Sequence, residues 1–181
     1  MSSVVISGDT SGAITLSAPA VSGTNTATLP AATGTVMVSG NMPTFSAYAT
    51  GSQSISNATA TKVLFQGEYW DTNNNFASST FTPTVAGYYQ VNAGIGYGVN
   101  TTGERQLAVY KNGSEWKRGT DTAPTTAGPY ELNVSCIVYC NGSTDYVEIY
   151  NYQNSGSSVN IGGGGGYIPA TYFDGCMVRS A

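Results

Sequence analysis

The sequence predicts an all-β protein, on three observations. Apolar and polar residues alternate in steps of two through most of residues 81–152, as in strands with one buried face. Asn-Gly dipeptides at Asn112-Gly113 and Asn141-Gly142 interrupt these runs and offer the positive backbone dihedrals of two-residue hairpin turns. The chain is also rich in Gly, Ser, Thr, Asn and Tyr, only 9% of it is charged, and no window repeats at helical spacing.

Each strand is read from its own alternation. Tyr89, Val91, Ala93, Ile95 and Tyr97 share one face of a strand that Gly87 opens and Gly98 closes. Leu107 and Val109 alternate with Gln106, Ala108 and Tyr110 ahead of the first turn. Leu132, Val134, Cys136, Val138 and Cys140 alternate with Glu131, Asn133, Ser135, Ile137 and Tyr139 ahead of the second. Beyond it, Val147, Ile149 and Asn151 interleave with Tyr146, Glu148, Tyr150 and Tyr152, which predicts an aliphatic face and a tyrosine face. Earlier in the chain, Phe45, Ala47 and Ala49 predict a first strand, residues 50–61 a polar loop, residues 62–69 a strand through Val63 and Phe65, and residues 70–76 a turn-rich passage.

A chain of 181 residues, 40% of them apolar, can bury one sizeable core. Six basic residues, spread out and set against a net charge of -4, exclude a phosphate-tracking surface, so no nucleic acid is expected as a partner. No signal peptide and no apolar run of bilayer length is found, so no membrane insertion is expected. The absence of histidine excludes Ser-His-Asp, Cys-His and His-metal sites. Asp145 and Glu148 stand at an odd separation on opposite strand faces, a poor acid/base pair. The five glycines at 162–166 lack the Lys-Ser/Thr of a phosphate loop. No catalytic residue, cofactor or metal is therefore expected. Cys136 and Cys140 share a strand face about 13 Å apart, too far for a disulfide.

Four blocks in order carry a resemblance. They are Phe81-Thr82-Pro83-Thr84-Val85-Ala86-Gly87-Tyr88-Tyr89-Gln90-Val91; Val109-Tyr110-Lys111-Asn112-Gly113; Asn141-Gly142-Ser143-Thr144-Asp145-Tyr146-Val147; and Tyr172-Phe173-Asp174-Gly175-Cys176. Their order and spacing resemble the globular head of complement C1q and its tumour-necrosis-factor-like relatives over residues 43–181. The third block departs from the family's Gly-Asp with Ser143-Thr144-Asp145, and in the last Cys176 follows Phe-Asp-Gly. The resemblance implies a ten-stranded jelly-roll β-sandwich that assembles as a homotrimer. In that topology a strand separates Cys176 from Cys136, all three cysteines are reduced core residues, and Trp70 lies in the core. Both hairpin turns lie at the base with the chain's end, and the loops at residues 99–104, 120–130 and 154–170 form the free apex.

Ahead of this head, Ser11-Gly12-Ala13, Ser22-Gly23-Thr24 and Thr33-Gly34-Thr35 recur every 11 residues, each followed by a β-prone piece: Ile14-Thr15-Leu16, Thr26-Ala27-Thr28-Leu29 and Val36-Met37-Val38. Such a segment holds too few large apolar side chains for a core of its own and must stack on copies of itself, unless it is a flexible linker. Thr28-Leu29-Pro30-Ala31-Ala32-Thr33-Gly34-Thr35 resembles a module found near the ends of bacteriophage tail fibres. The Asn/Gly/Pro cluster at residues 40–43 marks the boundary, which gives a β-repeat shaft or virion-attachment segment at residues 1–40 and the jelly-roll head at residues 41–181.

Together the two resemblances imply a non-enzymatic trimeric virion protein of a tail or fibre, assembled in the host cytoplasm and displayed outside it. Its segment 1–40 would hold other virion proteins and its apex would bind a host-surface glycan or protein. The composition of the apical loops, rich in Tyr, Ser, Gly and Asn, is that of adaptable binding surfaces, so Asn100, Thr101, Asp121, Asn160 and Tyr167 are the expected ligand contacts. Glu104 and Asp121 are the acidic residues of these loops and are read as solvated charges. Tyr88, Tyr146, Tyr150 and Tyr152 are the expected trimer interface, the alternative being a sandwich with aromatics on both sheets. Two other readings stay open: a passive cap that only trimerises and stabilises the appendage, and a polysaccharide-degrading enzyme, which the lack of an acid/base pair disfavours.

Overall fold

The computed structural model describes residues 3–21, 23–28, 31–34, 36–125, 130–162 and 170–181. The chain forms two compact units, Met1–Gly34 and Thr35–Ala181.

In the first unit β1 (Ser3–Ser7) pairs antiparallel with β2 (Ala13–Ser17). Val4 stands opposite Leu16 and Ile6 opposite Ile14, so four aliphatic side chains share one face, and all are exposed. A two-stranded hairpin with an open apolar face is marginal in water. The 11-residue spacing does not become a repetition of strands. Ile14-Thr15-Leu16 lies in β2, but residues 26–28 and 36–38 are not strands, and Leu29 lies outside the described residues. Residues 26–28 are Thr, Ala and Thr, with no large apolar group to bury. Met37 instead leans on the core of the second unit.

The second unit is an all-β sandwich, preceded by a 3-10 turn at Ser39–Asn41. Its strands are β3 (Thr44–Tyr48), β4 (Gln53–Ile55), β5 (Thr61–Lys62), β6 (Gly67–Asp71), β7 (Phe76–Ala77), β8 (Thr80–Phe81), β9 (Gly87–Tyr97) and β10 (Arg105–Lys111). They continue with β11 (Ser114–Thr122), β12 (Tyr130–Cys140), β13 (Val147–Gln153), β14 (Val159–Ile161) and β15 (Tyr172–Ser180). One sheet runs β11-β10-β13-β8-β7, with β5 also on β13; the other runs β4-β14-β9-β15-β3-β6, with β12 also on β9. This is the expected jelly roll. It has more strands than ten because residues 50–61, expected as loop, supply β4 on β14 and β5 on β13, and because β7 and β8 form a short hairpin of their own.

The long alternations hold. Tyr89, Val91, Ala93, Ile95 and Tyr97 are buried along β9, as are Leu132, Val134, Val138 and Cys140 along β12. Phe45 centres the core between the sheets, stacking on Phe81 at 4.4 Å and on Phe76 at 4.9 Å, with Phe173 edge-on at 4.9 Å. Gly175 makes room for it, since a Cβ there would lie 2.5 Å from the Phe45 ring.

Asn112-Gly113 is a two-residue hairpin turn between β10 and β11, with φ of 52° and 77° as such turns require. Asn141-Gly142 is not. The strands it joins lie in different sheets, β12 on β9 and β13 on β10, so the dipeptide opens a crossing loop instead. Asn141 Oδ1 accepts the backbone N–H groups of Ser143, Thr144 and Asp145 at 2.9–3.0 Å, a side-chain-capped turn that replaces the ladder.

Three further expectations are corrected. Trp70 is 52% exposed, because on β6 at the sheet edge it faces outward beside Tyr69. Residues 63–66 are not strand, so the run through Val63 and Phe65 breaks between β5 and β6. All three cysteines are free, yet Cys176 is exposed and only Cys140 fully buried. Cys176 sits opposite Thr44 and Gln90, on the outward side of β15.

Candidate functional site

Strand directions set two ends. At the base the hairpin turn at Asn112 meets the loop before β13, Asn112 N donating to Tyr146 O at 3.0 Å; Met177 N binds Pro43 O and Ala181 N binds Ala86 O. At the opposite end lie the loops at residues 99–104, 123–125 and 154–158, joined by residues 49–52. The described parts of the expected apical loops thus lie at the end opposite the chain's end, and residues 126–129 and 163–169 lie outside the described residues.

At the apex Gly98 N donates to Asn160 O at 3.2 Å, Gly162 N to Gly96 O at 2.9 Å and Asn154 N to Glu104 O at 3.3 Å, which tie the loops into one surface. Asn100 and Asn160 belong to it, and Thr101 is exposed beside them. The Asn100 side chain is occupied by the Thr102 N–H at 2.9 Å. Tyr167 lies outside the described residues, as do the glycines after Gly162. Asp121 lies on β11 rather than in a loop, opposite Gln106 and 3.4 Å from Arg118.

Beneath these loops is a residue that no sequence signal pointed to. Arg105 is fully buried at the start of β10. Its Nη1 donates to the carbonyls of Thr102 and Glu104, both at 2.9 Å, while its Nε has no hydrogen-bond partner among the described residues. The guanidinium lies 5.4 Å from the Tyr97 ring centroid, and Tyr97 stacks on Tyr130 at 5.2 Å. The Tyr97 hydroxyl hydrogen-bonds Asn151. Burial raises the pKa of the Tyr97 hydroxyl strongly and that of Tyr130 as well. A basic residue at a strand start carries no mark of burial; the carbonyls and rings that accept it become neighbours only when the loops fold.

The four expected interface tyrosines fall on different surfaces. Tyr88 is on β9, 42% exposed and 5.4 Å from Tyr139, with Ile137 and Trp116 also exposed nearby. Lys111 lies over both the Trp116 and Tyr139 rings at 5.8 and 5.6 Å. Tyr150 and Tyr152 are on β13, in the other sheet, and Tyr146 precedes that strand. The two groups therefore lie on different sheets of the sandwich.

Glu148 and Asp145 are held structurally. Glu148 pairs with Lys62 at 2.7 Å and Asp145 with Lys111 at 2.9 Å. No group of three metal-ligating side chains forms among the described residues.

No protein-family model matches the chain, and no curated protein matches it. Solved structures do. The globular domain of zebrafish complement 1qA is 14% identical, covers 77% of this chain and 98% of its own, and has a TM-score of 0.55. Eiger TNF from S. frugiperda is 11% identical, with 77% and 93% covered and a TM-score of 0.53. The PRD1 vertex protein P5 is 17% identical, with 75% and 96% covered and a TM-score of 0.51. These likenesses establish the fold of residues that make up the head: a jelly roll of the C1q and tumour-necrosis-factor kind.

Proposed function

We propose that the chain is a non-enzymatic, homotrimeric virion protein of a bacteriophage tail or fibre, whose jelly-roll head binds a host-surface glycan or protein. The observation that carries the virion reading is that a phage vertex protein, PRD1 P5, shares the head's fold over 75% of this chain. The tail-fibre-like stretch at residues 28–35 agrees with it. The aliphatic face of Val4, Ile6, Ile14 and Leu16, open in the first unit, is what a segment that winds on copies of itself or docks on another virion protein needs.

Trimerisation rests on the exposed cluster of Tyr88, Ile137, Tyr139 and Trp116, since aromatic side chains left open on a monomer are enriched at contacts between chains. We assign the interface to this face and not to Tyr146, Tyr150 and Tyr152. Three copies then present three sites, and simultaneous engagement raises avidity about 10²- to 10⁴-fold over one site.

The apical loops, with Asn100, Thr101, Asn160 and Tyr167, are the receptor contact in this reading, with Asp121 at their rim. The passive-cap reading has one observation in its favour: Asn100 spends its side chain on its own loop. Purified full-length chain, added in excess to cells of the host strain, is expected to block adsorption of the virion. Undiminished adsorption at saturating protein would leave the cap reading and remove receptor binding.

A further inference from the structure

The strand register assembles a second candidate site, on the outer face of the sheet that carries β10, β11 and β13. Tyr150 stands opposite Ala108, Tyr152 opposite Gln106 and Arg118 opposite Ala108, so these side chains share the outward face. The small Ala108 leaves a depression of ≈ 250 Å³ there, walled by Tyr110, Tyr150 and Tyr152 and rimmed by Gln106, Glu115 and Arg118. Tyr110 and Tyr150 stack at 4.1 Å with their planes 24° apart, which fixes one wall. Arg118 is held by Glu115 through two bonds of 3.0 Å, Nε to Oε1 and Nη2 to Oε2, and reaches Asp121 through Nη1 at 3.4 Å.

From this arrangement we infer that the outer sheet face at Tyr110, Tyr150 and Tyr152 binds one ring of a neutral saccharide. The inference deepens the receptor-binding reading and rests on it for the ligand class, but it places the contact away from the apex.

The chemistry selects the ligand. A pyranose has an apolar face of C–H groups and a rim of hydroxyls; aromatic walls match the first, and an amide, a guanidinium and phenolic hydroxyls match the second. Tyrosine does this with little side-chain entropy to lose, and the Arg118 fork is already oriented by Glu115. The volume lies below the roughly 300–1,000 Å³ of pockets for drug-sized ligands, which suits a single ring. Charge excludes an acidic sugar: Arg118 faces two carboxylates, Glu115 and Asp121, so its own charge is more than offset.

The test is titration of the full-length chain with methyl glycosides of neutral hexoses and N-acetylhexosamines, with sialic acid as the anionic comparison, read by calorimetry and by ligand-observed NMR. A neutral glycoside is expected to bind and sialic acid not to. Tyr150→Ala is expected to weaken binding about tenfold or more. Arg118→Ala, at an exposed position that folding tolerates, is expected to weaken it by several-fold, with unfolding curves as a check on both variants. Glu68→Ala, at an exposed position on β6 of the other sheet, is expected to leave it unchanged. Binding that Asn160→Ala at the apex abolishes and the Tyr150 and Arg118 variants keep would overturn the inference while leaving a receptor-binding head. A wild-type chain that binds none of the neutral glycosides would overturn it as well, with the adsorption experiment still deciding receptor binding. A Tyr150→Ala protein of reduced molar mass would make this face a contact between copies, and the inference would fall.

Discussion

Asn112 donates its side-chain amide to Asp145 Oδ1 at 2.7 Å, across the base of the head. Lys111 reaches the other oxygen, Oδ2, at 2.9 Å, and Asn141 N donates to it at 3.0 Å. Asn112 Oδ1 in turn accepts the Tyr146 N–H at 2.9 Å. Two of the four sequence blocks are thus one structural unit: the Lys-Asn-Gly turn clamps the aspartate that opens the next strand. Asp145→Asn loses the ion pair and weakens each bond to the carboxylate, and is expected to cost about 1.5–3 kcal/mol in urea denaturation at neutral pH.

The same carboxyl makes stability depend on pH. The amide of Asn112 and the Lys111 ammonium hold the Asp145 pKa below its ordinary 3.8. A pKa lower in the folded state means that its contribution is full above 3.8 and is lost as pH falls through the folded value. Denaturation curves from pH 6 down to pH 2, with about one unit per step, are expected to show this loss in the wild type and a shallower one in Asp145→Asn.

Gly175 lies opposite Phe45 and Val91 in the middle of its sheet, and a Cβ there would come within 2.5 Å of the Phe45 ring. Gly175→Ala therefore forces the ring that Phe76, Phe81 and Phe173 all touch. It is expected to destabilise the head by about 1–3 kcal/mol, seen as a lower Tm without change of fold. An unchanged Tm would mean that the aromatic cluster is loosely packed.

Thiol reactivity reads out the two faces of β15 and β12. Cys140 is buried, and burial pushes its pKa up to about 11, so it is expected to react with an aromatic disulfide reagent only on unfolding. Cys176 is exposed on the sheet face that also carries Tyr88. If that face is the contact between copies, Cys176 is slow in the assembled protein and becomes fast when dilution separates the chains. Fast reaction in an intact assembly would place the interface elsewhere.

How far the sequence could be read follows from the range of the interactions. Asn112-Gly113 was legible because the turn's dihedrals are a property of two residues, and the alternation along β9 and β12 because burial has a period of two. Asn141-Gly142, the same dipeptide, misled because whether two successive strands pair depends on which sheet each joins. The same limit applies to the tyrosines. Their alternation along β13 was plain, but that Tyr88 belongs to the opposite sheet and Tyr110 stacks on Tyr150 is set by register between distant strands. Trp70 and Cys176 were placed inside on residue type and the resembled topology, and at outward positions of β6 and β15 the strand geometry outweighs both. At the apex, the loop positions followed from counting strand directions, whereas Arg105 was hidden because its partners are carbonyls and rings from other segments.

Whether the head is a trimer is read from the molar mass of the full-length chain by light scattering at micromolar concentration. Three times the 18.7 kDa of one chain is expected, falling towards a single chain in a variant with Tyr88 and Tyr139 replaced by serine and aspartate. A wild-type mass of one chain would contradict a trimeric head.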